Sequence, residues 1–335
     1  MRRVGKRSSI SAASADGCLP PLRVGRGAYP HSRASNAARG IGSVTYKVQR
    51  EIILVPLAWA PAILLQFAHP LVARGVADHS NFRSDRWGRM RRFRHTVDAM
   101  LRLCFGTDDE TRRAADRINA IHDRVHGGLS ETAGAFPAGT PYSAHDPALL
   151  AWVHATLLAM NLRVYELYVM PLSIEEKDRY CAEGSVMEDH LGIPKGCLPR
   201  GFGELQQYLD ATLASGAIAV TDTARTLARA ILDPPLRVVA SPLISLMRLT
   251  ALGLLPAPIR DEYGFPWGRR DDTKLRVSAA LIRRVLPLTP PFLRYWPAAR
   301  SAFAGRTAVY RPPTLRRAPF EWIDPTVPHR RERPE

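Results

Sequence analysis

The chain has 335 residues, of which 46% are hydrophobic and 23% are charged, an ordinary globular composition that excludes a disordered chain, a collagen and a coiled-coil rod. The formal net charge is +16, which is compatible with nucleic acid, an anionic membrane surface or an acidic ligand. The sequence contains no basic stripe with interleaved aromatic residues and no nucleic-acid-binding module. We therefore expect no specific nucleic-acid partner.

The two ends of the chain differ in composition from its middle. Residues 1–43 are basic, rich in Ser, Ala and Gly, and have no hydrophobic period, which predicts a disordered tail. Residues 306–335 are rich in proline, which predicts an extended tail. Between them, residues 44–305 are predicted to form a single domain. The basic tail has no apolar signal region, so we expect a cytoplasmic protein, with weak contact to a membrane surface as an addition.

The longest apolar run covers residues 52–68 and contains Pro56, Pro61 and Gln66. It reaches only about the minimum length of a membrane span and has no clean flanks, so it predicts a buried helix. His69 and Pro70 follow, and they indicate a helix end before a turn. A second apolar segment, residues 236–255, is interrupted by two arginines; it is more typical of an amphipathic core helix than of one lying on a membrane.

The remaining periodic segments are also helical. Apolar residues recur at steps of three or four from 93 to 104, Gly106 ends that pattern, and Thr107 with the following acids predicts the start of the next helix. Asp146 and Pro147 predict the start of a long apolar helix, and Ser173 starts another. Further helical patterns cover residues 204–213, 221–232, 236–252, 272–286 and 291–303. With no run of alternating strands and no hairpin turn, the sequence predicts an all-α fold.

Histidines are the residues most suited to chemistry, because the motifs of nucleotide-binding proteins, serine hydrolases, zinc proteases and di-iron carboxylate bundles are all missing from the sequence. His154 lies among leucines on the apolar face of the long helix. A helix can offer one neutral imidazole nitrogen to a haem iron in this way. The alternative is a core histidine bonded to a backbone carbonyl, and the spacing alone favours that alternative.

Two other groups of residues are candidates. His122 and His126 are four residues apart on a helix predicted to end at Gly127, so they could chelate a metal with help from Asp123, or could simply interact with the helix dipole. Arg92 and Thr96 are also four residues apart and share a helix face, with His95 beside them. This group could form a pocket wall or belong to a solvated basic surface.

The order of these motifs resembles the MpaB and rubber-oxygenase (latex clearing protein) catalytic-domain family. The similarity extends from about residue 44 to residue 303 and is most specific in the block at 142–157. The matching segments are residues 64–70 (LLQFAHP), 75–80 (GVADHS), 92–96 with 105–106, 121–125 (IHDRV), 142–157 (YSAHDPALLAWVHATL), 263–267 (YGFPW) and 293–297 (LRYWP).

The resemblance implies a single large, globin-like helical domain with a pocket for b-type haem or a hydrophobic ligand. The family's proximal haem ligand corresponds to His154, and its distal Arg and Thr correspond to Arg92 and Thr96. His95 stands where rubber-cleaving members can have a lysine. His122 and His69 are further expected cofactor neighbours, and the iron of haem b is the expected metal.

The sequence thus predicts a haem-dependent oxygenase that uses dioxygen on an apolar small molecule and cleaves a carbon–carbon double bond of an isoprenoid. The alternative is a non-catalytic helical protein that binds haem or lipid, at the membrane periphery. An apolar channel beside Met100 and Leu101 is expected to hold the substrate. The sequence does not specify the oligomeric state.

Overall fold

The structure is a computed structural model that describes residues 42–79, 86–233 and 241–303. These residues form fifteen α-helices, one short 3-10 helix and one two-stranded sheet, which confirms the predicted all-α fold. Apart from residues 42 and 43, both predicted tails lie outside the described residues. The predicted domain boundaries therefore stay predictions.

The elements follow one another with short connections. In chain order they are α1 (Val44–Gln49), α2 (Leu54–Phe67), α3 (Pro70–His79), α4 (Arg86–Phe105), α5 (Asp108–His122), β1 (His126–Gly128), β2 (Pro141–Ser143), α6 (Pro147–Tyr168), α7 (Ile174–Gly184), α8 (Met187–Leu191), α9 (Phe202–Ala214), α10 (Asp222–Leu232), α11 (Ser241–Leu254), α12 (Ala257–Glu262), α13 (Arg269–Val285), the 3-10 helix (Leu286–Leu288), α14 (Pro291–Arg294) and α15 (Pro297–Phe303).

Helices α2 and α6 form the centre of the core, and each packs more extensively against the other than against any other element. Both are apolar around most of their circumference, so they are stable only where other helices cover them. Helices α10 and α11 pack on the other sides of α2. This arrangement confirms that the apolar run at 52–68 forms a buried helix, with Pro61 inside it.

Buried polar contacts fix the position of α6 relative to α2. The Gln66 side-chain amide donates to the Val153 carbonyl oxygen at 3.3 Å and to the Thr156 hydroxyl at 3.1 Å. Because unpaired polar groups are costly in the interior, these bonds favour a single register of the two helices. That register places His154 one residue beyond the backbone oxygen that Gln66 contacts.

The predicted helix starts are confirmed by their caps. Thr107 and Ser173 each accept a hydrogen bond from the backbone of a glutamate three residues later, and that glutamate bonds back to the cap. The Asp146 side chain accepts from the Ala148 backbone, and Pro147 occupies the first position of α6. These caps use local contacts only, which is why the sequence reveals them.

One predicted helix is wrong. Residues 291–303 form two helices, α14 and α15, because Tyr295 is extended and pairs with Glu51. The Glu51 carboxylate is fully buried and accepts from the Arg294 guanidinium at 2.7 and 2.9 Å. This long-range ion pair holds the chain at Arg294, and Pro297 disfavours helical backbone in the residue before it.

Among the described residues, one helix has the length and hydropathy of a membrane span, namely α6 (Pro147–Tyr168). The protein itself buries 72% of the most apolar part of this helix. Helices α2 and α3 have the required apolar length only together, and the chain bends by 105° between them. All three are used in packing the core, as expected for the central helices of a globular domain.

Candidate functional site

His154 lies in the second turn of α6. Its Nε2 atom has no contact with solvent and no hydrogen-bond partner among the described residues. Burial lowers the pKa of His154 to about 4, and the nearby Gly184 backbone opposes this shift more weakly. The imidazole is therefore neutral at physiological pH. The Nε2 atom is thus a candidate position for a ligand.

Gly184, the last residue of α7, faces this nitrogen. A Cβ atom at position 184 would lie 3.3 Å from His154 Nε2 and 2.9 Å from Leu158 Cδ2. The backbone of α7 thus lies close to α6 here, and a side chain at position 184 would displace the end of the Leu158 side chain. Sequence reasoning missed Gly184. Its only signal is its position directly before the Ser185 cap, and that signal says nothing about α6.

His122 is the last residue of α5, and its Nδ1 atom is also enclosed without a partner among the described residues. Burial lowers the pKa of His122, and His145 lowers it further, while Asp123 raises it. The rings of His122 and His145 meet edge to face at 5.8 Å. The His145 ring is in turn within 2.7 Å of the Asp123 carboxylate.

The predicted helical pair of His122 and His126 is wrong. Helix α5 ends at His122, and His126 begins β1, where it pairs with Ser143 of β2. A Cβ atom at Gly127 would lie 2.5 Å from the Tyr142 hydroxyl oxygen, so glycine there leaves room for the Tyr142 side chain. Strand pairing across sixteen intervening residues cannot be seen in a local helical period, and the two histidines share no helix face.

An apolar cavity of about 220 Å³ opens between α3, the end of α5, β2 and the first turns of α6. Its polar wall consists mainly of His79, His122 and Tyr142. The Tyr142 hydroxyl donates to the Asp78 carboxylate at 2.6 Å, and burial together with this bond raises the pKa of Tyr142. Val153, the neighbour of His154, also contributes to the wall. An apolar cavity with a few fixed polar groups is typical of a small-molecule site.

His69 lies between α2 and α3, which agrees with the predicted helix end. It is buried, its Nδ1 atom has no partner among the described residues, and its ring packs on Phe136 at 5.2 Å. Burial lowers the pKa of His69 to about 4. His69 does not line the 220 Å³ cavity, so its expected role beside a cofactor stays a prediction.

The predicted distal residues lie on the first half of α4. His95 and Thr96 are exposed to solvent, and the side chain of Arg92 lies outside the described part of the chain. In the described part of the chain, the exposed His95 and Thr96 therefore do not share a closed pocket with the His154 nitrogen. Met100 and Leu101 border a void of about 10 Å³, which is room for a single water molecule, and the channel expected there stays a prediction.

Met187 of α8 connects the two helices that carry the candidate residues. It packs against the small cluster around Leu103 of α4 and against the cluster around Leu150 of α6. The next turn toward the carboxyl end of α6 contains His154, and the turn before Met100 on α4 contains Thr96. Met187 therefore packs against both helices, about two turns from Thr96 on α4 and about one turn from His154 on α6.

Across the described ranges 42–79, 86–233 and 241–303, no three His, Cys, Asp or Glu side chains are grouped so that they could hold a metal ion. A protein-only metal centre is therefore not built from these residues. What they offer is single histidine nitrogens, at His154, His122 and His69.

A family model described as "ER-bound oxygenase mpaB/B'/Rubber oxygenase, catalytic domain" matches residues 46–284. The match covers most of the chain and includes the three histidines with enclosed nitrogens as well as the predicted distal residues on α4. No curated protein and no solved structure is significantly similar to the chain.

Proposed function

The chain belongs to the ER-bound oxygenase mpaB/B'/rubber oxygenase catalytic-domain family, and from this premise we propose that it is a haem-b-dependent oxygenase with His154 as the iron ligand. The single observation that carries the proposal is the enclosed, unpartnered Nε2 atom of His154. The proposed substrates are dioxygen and an apolar small molecule, with an isoprenoid alkene as the preferred class.

The residues around His154 suit a haem ligand chemically. The low pKa keeps the ring neutral, so one nitrogen has a lone pair available for iron. Gly184 presents no side chain toward that nitrogen, but its backbone lies close by, so α7 has to move away from α6 to admit a porphyrin. One histidine suffices for haem, because the porphyrin supplies the other four nitrogens. The lack of a cluster of metal ligands in the described residues is therefore compatible with this cofactor.

When bound, haem would supply the dioxygen binding and the oxidation chemistry. The protein's own part is to hold the cofactor through His154 Nε2, with Gln66 fixing the backbone beside it through the Val153 carbonyl oxygen. Arg92 and Thr96 would provide a guanidinium and a hydroxyl as hydrogen-bond donors, with His95 as a further proton donor. For these roles, the part of α4 that contains Arg92, His95 and Thr96 has to approach α6.

The 220 Å³ cavity supports an apolar substrate. Its wall is mostly aliphatic side chains of α3 and α6, so it would exclude water and favour a hydrocarbon segment over a polar ligand. Val153 places this wall one residue from His154. His122 and Tyr142 are the groups that could orient a substrate carrying a polar end.

The first test is the visible absorption spectrum of protein produced with added haem precursor. We expect a Soret band in the wild type, loss of the band in His154→Ala, and retention of the band in His69→Ala and His122→Ala. His69 is the matched comparison, because burial lowers its pKa to the same value of about 4. Circular dichroism establishes that each variant is folded. A folded wild type without a Soret band overturns the proposal. Loss of the band only in His69→Ala or only in His122→Ala would identify that residue as the iron ligand in place of His154.

The second candidate function is a haem- or lipid-binding protein without turnover. The exposure of His95 and Thr96 favours it, because catalysis needs these donors beside the ligand. Oxygen consumption by the haem-loaded protein with farnesol or squalene distinguishes the two. Uptake that falls at least about tenfold in Thr96→Val supports the oxygenase, since removing one donor to a developing charge typically has this effect or a larger one. A haem-loaded protein that consumes no oxygen with either probe supports the binding protein.

A further inference from the structure

Helix α13 and the segment after it present an exposed apolar surface, which we call the α13 ridge. It consists of Val277, Leu281, Val285, Leu288, Phe292 and Leu293, which are between 50% and 81% exposed. The first three are spaced by four residues and therefore form one stripe along the helix. Large apolar side chains scattered singly over a surface need no explanation, but six of them within seventeen residues indicate an interaction site.

The opposite face of α13 is well packed, so the exposure of the ridge does not reflect a loosely attached helix. Ala279 is buried, and Ile282 and Leu286 pack against the main core. Leu275 contacts Gly253 of α11. The Arg283 guanidinium donates to the Glu166 and Leu167 carbonyl oxygens near the end of α6. The ridge is therefore a firmly held surface.

The ridge is surrounded by positive charge. No acidic residue occurs between residues 273 and 303, whereas this stretch contains one lysine and five arginines. Arg276 and Arg284 are exposed on the same helix as the apolar stripe, whereas Lys274 pairs with Asp271 at 3.1 Å. Long basic side chains beside an exposed apolar stripe are the composition of helices that lie in the headgroup region of a membrane.

We propose that the α13 ridge docks the protein on an anionic lipid bilayer, with the six apolar side chains inserted among the lipids and the basic residues against the headgroups. The charge argues for this occupant. A second copy of the chain would place arginines against arginines across a symmetric interface. The chain beyond residue 303 is itself rich in arginine, so like charges oppose its docking on the ridge. Anionic lipids complement both the apolar stripe and its basic border.

This surface is separate from the proposed haem site and needs no cofactor, so the two proposals can fail independently. It belongs to a different part of the chain from the 220 Å³ cavity, which α3, α5, β2 and α6 form. A protein held at a bilayer through α13 would be where apolar molecules are dissolved. Apolar substrates reach high local concentration there and are almost absent from water.

The test is flotation of the full-length protein with vesicles of phosphatidylcholine alone and of phosphatidylcholine mixed with phosphatidylserine. We expect binding to the mixed vesicles and little binding to the neutral ones. Leu281→Ser/Phe292→Ser should lower the partition coefficient at least about tenfold, since each side chain loses most of its transfer free energy. Arg276→Gln/Arg284→Gln should lower it about fivefold for each arginine removed, and added salt should have a similar effect.

The matched control is Met170→Ser/Ile174→Ser, which removes two exposed apolar side chains elsewhere on the surface. It should bind like the wild type, and circular dichroism should show all variants folded. Absence of wild-type binding to the mixed vesicles overturns the proposal, as does equal loss in the ridge and control variants. Analytical ultracentrifugation provides the other decisive result. A wild-type dimer that dissociates in Leu281→Ser/Phe292→Ser would identify the ridge as a subunit interface instead.

Discussion

Helix α6 lies at the centre of the core, whereas residues 93–96 of α4 lie on the surface, although both helices carry residues predicted for one site. Beside His154, Gly184 of α7 lies close to the imidazole, and Gln66 of α2 fixes the neighbouring backbone. On α4, His95 and Thr96 face solvent, whereas Leu101 and Leu103 are buried. The comparison shows that core packing fixes the position of the candidate ligand, whereas the described fold leaves His95 and Thr96 exposed.

Leu162→Ala on α6 should have the largest effect on stability. Leu162 is almost completely buried between the central helices, and removing a core leucine costs about 2–5 kcal/mol because a cavity remains. Urea unfolding at neutral pH measures the free energy of unfolding. A loss below about 1 kcal/mol would contradict tight packing of α6. Surface substitutions usually change the free energy of unfolding by about 0.5 kcal/mol or less.

Acid should destabilise the haem-free protein through His154 and His69. Burial lowers both pKa values to about 4, below the value of about 6.5 in an unfolded chain. Between these values the unfolded chain binds protons that the folded protein does not, so the stability falls as the pH decreases. From about pH 7 to about pH 5 the loss should be about 2 kcal/mol for each histidine.

Urea unfolding of His154→Asn and His69→Asn at the two pH values tests this expectation. In each variant, the decrease in the free energy of unfolding between about pH 7 and about pH 5 should be smaller by the contribution of the replaced histidine. In the double variant, it should be smaller by both contributions. A variant with the full wild-type step would show that its histidine has the same pKa in the folded and unfolded chains, and this would argue against an enclosed neutral ring.

Gly184→Ala should destabilise the wall opposite His154 by about 1–2 kcal/mol, because the new methyl group overlaps Leu158 and crowds the imidazole. Gly203→Ala is the matched control, since a Cβ atom in the first turn of α9 meets nothing within 4 Å. That change should be neutral or slightly stabilising. Thermal unfolding of both variants measures the difference. Equal midpoints would mean that α6 and α7 separate easily at this place.

Phe93→Ala on α4 should have the smallest effect. Phe93 is 45% exposed and meets the Trp59 ring edge to face at 6.3 Å, so its loss should cost about 1 kcal/mol or less. The same urea experiment as for Leu162→Ala gives the comparison directly. A cost similar to that of Leu162→Ala would show that the first half of α4 is held as firmly as α6, and the contrast between the two regions would disappear.

The sequence predicted much of the fold because the relevant signals are local. The caps at Thr107, Asp146 and Ser173 bond to residues two or three positions away, and the apolar run at 52–68 needs no partner to be identified as a buried helix. Where the predictions failed, a distant residue determined the backbone. Arg294 forms an ion pair with the distant Glu51 at the end of α14, and Gly127 pairs with Tyr142 in the two-stranded sheet.

The candidate site divides in the same way. By itself, the sequence determined that the domain is helical and that His154 lies on an apolar helix, because periodicity and capping act within a few turns. Only the tertiary structure decided that His154 Nε2 faces Gly184 without a partner, that the cavity adjoins His122, and that His95 and Thr96 remain exposed. Enclosure depends on which helices meet. Their meeting is determined by packing between residues far apart in the chain, which no local pattern records.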